Sequence, residues 1–128
     1  MAESRDATIL VVEDDTDVRL AVVETLELSG YRVLSARDGP EALSVLEADP
    51  GIDLMFSDLI RPQGMSGLDL VTEARRKRPD LRIILTSGYS AQMLPREDKG
   101  PVFPLIKKPY RLSELIGRIG EILNRPPM

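Results

Sequence analysis

Histidine and cysteine are both absent from this chain, and each absence removes a class of chemistry. Without cysteine there is no disulfide framework and no thiolate metal site. Without histidine the usual general base and the usual zinc ligand are missing, so His-based triads and HExxH hydrolysis are excluded. No apolar run approaches the ~20 residues of a membrane-spanning helix. The opening MAESRDATIL also lacks the basic-then-apolar layout of a secretory signal, so a cytoplasmic protein without membrane insertion is expected. An excess of positive charge is missing too: the net charge of -4 argues against direct nucleic-acid binding. The one cationic cluster, RRKR at residues 75–78, reads as the solvated end of a helix, where the macrodipole favours cations.

What is present fits one compact domain spanning residues 1–128, with its core at about 7–124. At this size roughly two thirds of the unfolded chain's surface can be buried. Residues 8–12, TILVV, form an unbroken apolar run expected of a strand buried on both faces of a parallel sheet. Val18, Ala21, Val22 and Leu26 then recur at helical spacing until Gly30. The alternation continues with a strand over 31–36, a helix over 38–48 that uses Pro40 in its first turn, and a strand over 52–57. Next come a helix over 66–78, capped by Ser66 and buried through Leu68, Val71 and Ala74, and a strand over 81–86. Pro95 leaves only a short, kinked or shifted helix between 90 and 99, and the two prolines of PVFPLI, 101–106, place a fifth strand at a sheet edge. LSELIGRIGEIL closes the pattern, with Leu112, Leu115, Ile116, Ile119, Ile122 and Leu123 facing inward.

Strict strand–helix alternation predicts an α/β fold: a doubly wound five-stranded parallel sheet with helices on both faces. In such sheets ligands bind beyond the carboxyl ends of the strands, where strand order reverses. That rule selects Glu13 and Asp14 after the first strand, Asp58 after the third, Thr86 after the fourth and Lys107 with Lys108 after the fifth. With strand order 2-1-3-4-5, Glu13, Asp14 and Asp58 converge. Asp15 and Asp17 are explained by a helix start, but Glu13 and Asp14 sit at the end of an apolar strand and call for a cation. Three carboxylates suit a hard ion such as Mg²⁺, a lysine ammonium alongside suits a phosphate, and a threonine hydroxyl can bond one of its oxygens. Asp53, Asp69 and Asp80 read as turn or surface residues.

Four stretches, ILVVEDD, DLMFSDLIRPQGMSGLDLV, IILTSGYS and LIKKPYRLSEL, each at a strand end and in this order, resemble the receiver domain of two-component response regulators. The resemblance covers residues 7–124 and implies a flavodoxin-like fold and a phosphorylatable signalling domain rather than a separate enzyme. It implies that Asp58 is the phosphoacceptor, with Glu13, Asp14, Asp58 and the Ile60 carbonyl as Mg²⁺ ligands and with Thr86 and Lys108 on the phosphoryl group. Lys107 should point away. The donor is then a phosphohistidine on a partner, a sensor histidine kinase or a histidine phosphotransfer protein.

The sequence departs from the family pattern in three places. Arg61 stands where a methionine is usual, Gly64 lengthens the loop, and Leu105 takes the place of a switch aromatic, with Phe103 at another offset. Arg61 is expected beside the pocket, able to swing toward a phosphoryl group, the alternative being that its stem covers the third helix and its head stays in water. Ile60 and Gly88 offer no side chain to orient a hydrolytic water, so a long-lived acyl phosphate is expected. The competing readings are a pseudo-receiver acting as a constitutive binding module and a Mg²⁺-dependent phosphatase with an aspartate nucleophile. The phosphatase reading needs a second acid where Ile60 stands. A free-standing regulator, a phosphorelay intermediate and the receiver of a hybrid kinase all remain open.

Overall fold

The computed structural model describes residues 7–58, 66–87 and 105–124. Strand β1 (Thr8–Val12) is followed by α1 (Thr16–Leu28), β2 (Arg32–Ala36), α2 (Gly39–Ala48) and β3 (Leu54–Asp58). Then come α3 (Gly67–Lys77), β4 (Arg82–Ser87), β5 (Leu105–Lys107) and α4 (Leu112–Leu123). The strands make one parallel five-stranded sheet, as the alternation predicts, and its order is β2-β1-β3-β4-β5, the flavodoxin-like order under which Glu13, Asp14 and Asp58 converge.

Side chains alternate across a strand, so each central strand feeds two cores. Leu10, Val12, Met55 and Ile83 pack with α2 and α3, while Ile9, Val11, Phe56, Ile84 and Ile106 pack with α1 and α4. Full burial of each such side chain contributes about 1.5–3 kcal/mol. These layers hold the sheet rigid under the loops at its carboxyl end.

The helix starts follow their capping residues. Asp15 accepts from the Val18 N–H at 3.1 Å, Asp38 from Glu41 at 2.9 Å and Ser66 from Asp69 at 3.1 Å. The inward stripes differ in part from the sequence reading. Val22 and Leu26 of α1 are buried, but Val18 is 40% exposed and Ala21 is also exposed. The first turns of α1 lie past the end of the sheet, where no core covers them. In α3 the stripe is Gly67, Leu70, Val71 and Ala74, a true i, i+3, i+4, i+7 set, and Leu68 lies one step round the helix and is exposed.

The 75–78 cluster is less solvated than its charge suggests. The Arg75 Nε donates to the Leu81 carbonyl at 2.7 Å and the Arg78 Nη2 to the Ile52 carbonyl at 2.8 Å, fastening α3 to the sheet's lower edge. Strand β3 starts at Leu54, two residues later than its apolar pattern; just before it, Asp53 joins β1 and β4, its N–H donating to the Thr8 carbonyl at 2.8 Å, its carbonyl accepting from the Arg82 N–H at 3.2 Å and its carboxylate accepting from the Thr8 N–H at 2.9 Å. Strand β5 lies at the sheet edge as its prolines require, over Leu105–Lys107 rather than 101–106, of which 101–104 fall outside the described residues. The expected short helix between 90 and 99 also lies outside them.

Candidate functional site

The alternation that builds the α1/α4 core also aims the site. Val11, Phe56, Ile84 and Ile106 share that core, and two residues further along each strand path stand Glu13, Asp58, Thr86 and Lys108. Parallel pairing keeps the first three level, since Val12 pairs with Ser57 and Asp58 with Thr86, while Thr86 pairs with Ile106, so Lys108 lies two residues beyond that level, just past the end of β5. Glu13, Asp58 and Thr86 thus project from one face at one edge, and the long Lys108 side chain reaches Asp58 there. Lys107, one step out of phase, is exposed and directed elsewhere.

The Lys108 ammonium donates to Asp58 Oδ2 at 2.7 Å, with the Asp58 side chain 16% exposed. Glu13 is 6% exposed, and its Oε2 accepts the Asp15 N–H at 3.0 Å. Burial pushes the Glu13 carboxyl above its ordinary range; the Asp15 N–H opposes this, the hydrogen bond with Asp14 adds to it, Lys108 opposes it and Asp58 adds to it. Asp14 is exposed at the cleft mouth. Thr86 is 1% exposed, and its hydroxyl has no hydrogen-bond partner among the described residues. A buried hydroxyl left unpaired costs about 1–3 kcal/mol, so it is a group in want of an acceptor or donor.

An open cleft of about 910 Å³ is lined by Glu13, Asp14, Asp58 and Lys108, with Val18 and Tyr110 on its flanks. Thr86 does not line it but stands next to Asp58 in register. No three carboxylates among the described residues close on a point where one metal ion could touch them all. Glu13 gives one oxygen to the Asp15 N–H and Asp58 gives one to Lys108, and each keeps a second oxygen. The oxygen donors still suit Mg²⁺, which is usually held by one or two carboxylates and keeps several waters, rather than a metal that needs an all-protein cage.

Ile60, Arg61, Gly64, Gly88 and Phe103 lie outside the described residues. Leu105, at the switch position, is half-buried and packs against the α2/α3 core.

Tyr110 is a site residue that the sequence reading missed. Its ring meets Phe56 edge-on, with centroids 6.1 Å apart. Its phenol is pushed up to about 12 by burial first, then by Glu13 and Asp58. The available signal was an aromatic two residues beyond Lys108 in a chain with three tyrosines and two phenylalanines. The Lys108–Pro109 peptide between them is cis.

The family model of the response regulator receiver domain matches residues 9–120. Sensor kinase CckA of Brucella abortus (strain 2308) is 37% identical over 127 residues, a match that covers 95% of this chain and 13% of that kinase. Response regulator receiver protein CpdR of the same strain is 34% identical over 116 residues, covering 90% of this chain and 95% of CpdR. The chain therefore spans a small part of one relative and nearly all of another. Among solved structures, a response regulator receiver protein from Sinorhizobium medicae WSM419 aligns with a TM-score of 0.81 at 26% identity, over 93% of this chain and 95% of that one. The receiver domain of the hybrid histidine kinase CckA aligns with a TM-score of 0.77 at 33% identity, over 92% and 100%.

Proposed function

The chain belongs to the response regulator receiver domain family of two-component systems, and from that premise we propose that Asp58 accepts a phosphoryl group from a partner's phosphohistidine. The observation that carries this reading is the Asp58 carboxylate, largely buried at the sheet's carboxyl edge and held at 2.7 Å by Lys108. An Asp58 oxygen attacks phosphorus, the phosphorus–nitrogen bond breaks, and the partner's imidazole leaves with that electron pair, giving an acyl phosphate on Asp58. Little covalent work falls to the protein in such a transfer, so positioning and charge carry it. Lys108 orients the carboxylate, and its ammonium offers positive charge to the transferring oxygens. The Thr86 hydroxyl, beside Asp58 and without a partner among the described residues, offers them a donor.

Of the cleft acids Glu13, Asp14 and Asp58, one or two would hold Mg²⁺ directly and the others through its waters, and the Ile60 carbonyl is the further protein oxygen expected of the family. When bound, the ion supplies neutralisation of the phosphoryl charge. The partner is a sensor histidine kinase or a histidine phosphotransfer protein, which provides the imidazole that this chain lacks. The acquired phosphate changes the surface that the domain offers to partners. No helix among the described residues is long and apolar enough to cross a membrane.

The test is Mg²⁺-dependent phosphorylation by acetyl phosphate, followed by intact-protein mass. The native chain should gain one phosphate, and Asp58→Asn should gain none while keeping its circular dichroism. Continuous turnover of the donor without labelling would instead point to a hydrolase, and no uptake at all to a pseudo-receiver.

A further inference from the structure

Three acids of the cleft, Glu13, Asp14 and Asp15, ride on a short loop between β1 and α1 whose backbone belongs to neither element. The last sheet bond on this side runs from the Glu13 N–H to the Ala36 carbonyl at 3.0 Å, and β2 ends at Ala36, so the Glu13 carbonyl has left the ladder. At the other end, the Arg19 N–H bonds to the Asp15 carbonyl at 2.8 Å at the start of α1, so the Glu13 carbonyl is outside the helix as well. The Arg19 guanidinium takes it up: Nη1 reaches back from the second turn of α1 and donates to it at 2.9 Å.

This bond controls a neighbour it does not touch. Asp14 lies between two rigid peptide planes. The plane before it is held through the Glu13 carbonyl by Arg19, and the plane after it through the Asp15 N–H by the Glu13 carboxylate at 3.0 Å. With both planes held, the two soft dihedrals of Asp14 are set, and with them the direction in which its carboxylate leaves the chain. Glu13, Asp14, Asp15 and Asp17 repel one another across five residues, and repulsion favours an opened loop. Arg19 both closes the loop mechanically and brings a permanent positive charge to its base.

Resting on the phosphoacceptor reading above, we infer that Arg19 is a positioning residue: it holds the acid-bearing loop in the shape that binds the divalent cation. It touches neither the ion nor the phosphoryl group. Groups that orient metal ligands typically contribute about tenfold or more to metal affinity.

The test is titration of the native protein, Arg19→Met and Arg19→Lys with Mg²⁺ alone. Urea unfolding and hydrogen exchange of the Asp15 amide are measured on the metal-free proteins. Arg19→Met should bind Mg²⁺ about tenfold more weakly and exchange the Asp15 amide faster. Arg19→Lys, which keeps a donor and the charge, should recover part of both. Should Arg19→Met fail to fold, Arg19→Gln, too short to reach the carbonyl, takes its place with the same expectations. Unchanged Mg²⁺ affinity in the variants, with or without a lower urea midpoint, overturns the inference and leaves the phosphoacceptor reading standing. If the native protein itself binds no Mg²⁺, the failure lies in the metal reading on which the inference rests.

Discussion

The two ends of the sheet are built on opposite electrostatic principles. At the amino end, charges meet partners. Asp53 accepts from the Thr8 N–H at 2.9 Å, and Arg32 spans the Thr8 hydroxyl at 3.3 Å and the Asp49 carboxylate at 2.8 Å. Arg78 donates to the Ile52 carbonyl at 2.8 Å, although its Nη1 has no partner among the described residues. The Asp49 carboxyl is accordingly held below its ordinary range, first by the Arg32 hydrogen bond and then by the Gly51 N–H. At the carboxyl end, Glu13 is buried beside Asp14 and Asp58 and is pushed the other way. Thr86 there keeps a hydroxyl with no partner among the described residues. One end uses polar groups to join elements, and the other, with Lys108 paired to Asp58, still keeps several carboxylates together at a cost in stability. Such a local conflict, in a fold otherwise consistent with its sequence, is where function is expected.

The sharpest way to break this contrast is Lys108→Met. Removing one preorganised donor from a charge-stabilised transfer typically costs about 100-fold or more in rate, so phosphorylation by acetyl phosphate should slow by at least that factor. The change in unfolding free energy should be far smaller, because the pair is partly exposed and screened. A rate loss no larger than the loss of folded protein would place Lys108 with the structural charges of the other end.

Asp53→Ala should do the reverse. It strips the acceptor from the Thr8 N–H and should lower the urea unfolding free energy by about 1–3 kcal/mol, with phosphorylation of the folded fraction unchanged. Slower labelling at full folding would show that the two ends are coupled.

The smallest effect is in pH dependence, and its sign differs between the ends. The raised Glu13 carboxyl contributes stability below the ordinary carboxylate pKa of about 4, and this is lost as pH rises through its higher folded value. Glu13→Gln should therefore raise the metal-free urea midpoint at about pH 7 and change it little at about pH 4. The depressed Asp49 carboxyl contributes stability above the ordinary value, lost as pH falls through its lower folded value. Asp49→Asn should lower the midpoint slightly at about pH 7 and leave it unaltered near about pH 3. Urea titrations across that range distinguish these signs, and parallel profiles for the two variants would remove the distinction between the ends.

Most of the architecture was legible in the chain. Continuous apolar strands alternating with capped helices determine a parallel sheet, because only burial on both faces supports TILVV and LMFS. Ser66 as a cap and Asp15 as a helix-start acid marked helix starts through short-range hydrogen bonds that depend on neighbouring residues alone, and the Asp38 cap is of the same kind. Glu13, Asp14, Asp58 and Lys108 could be singled out because carboxylates and a lysine next to apolar strands require a reason, and the strand-end rule says where to look. Tertiary structure decided what spacing could not. Whether Val18 and Ala21 faced a core or a cleft depended on how far α1 extends past the sheet, and whether Leu68 or Leu70 was inward depended on how α3 rotates against it. That Glu13 turns an oxygen to the Asp15 N–H, that Arg19 reaches the Glu13 carbonyl, and that Tyr110 leans on Phe56 are likewise matters of packing. The type and spacing of residues set the period and the charge of each element. Which side chains meet is settled only when rigid elements are pressed together, because a rotation of one residue's step moves a side chain from core to cleft.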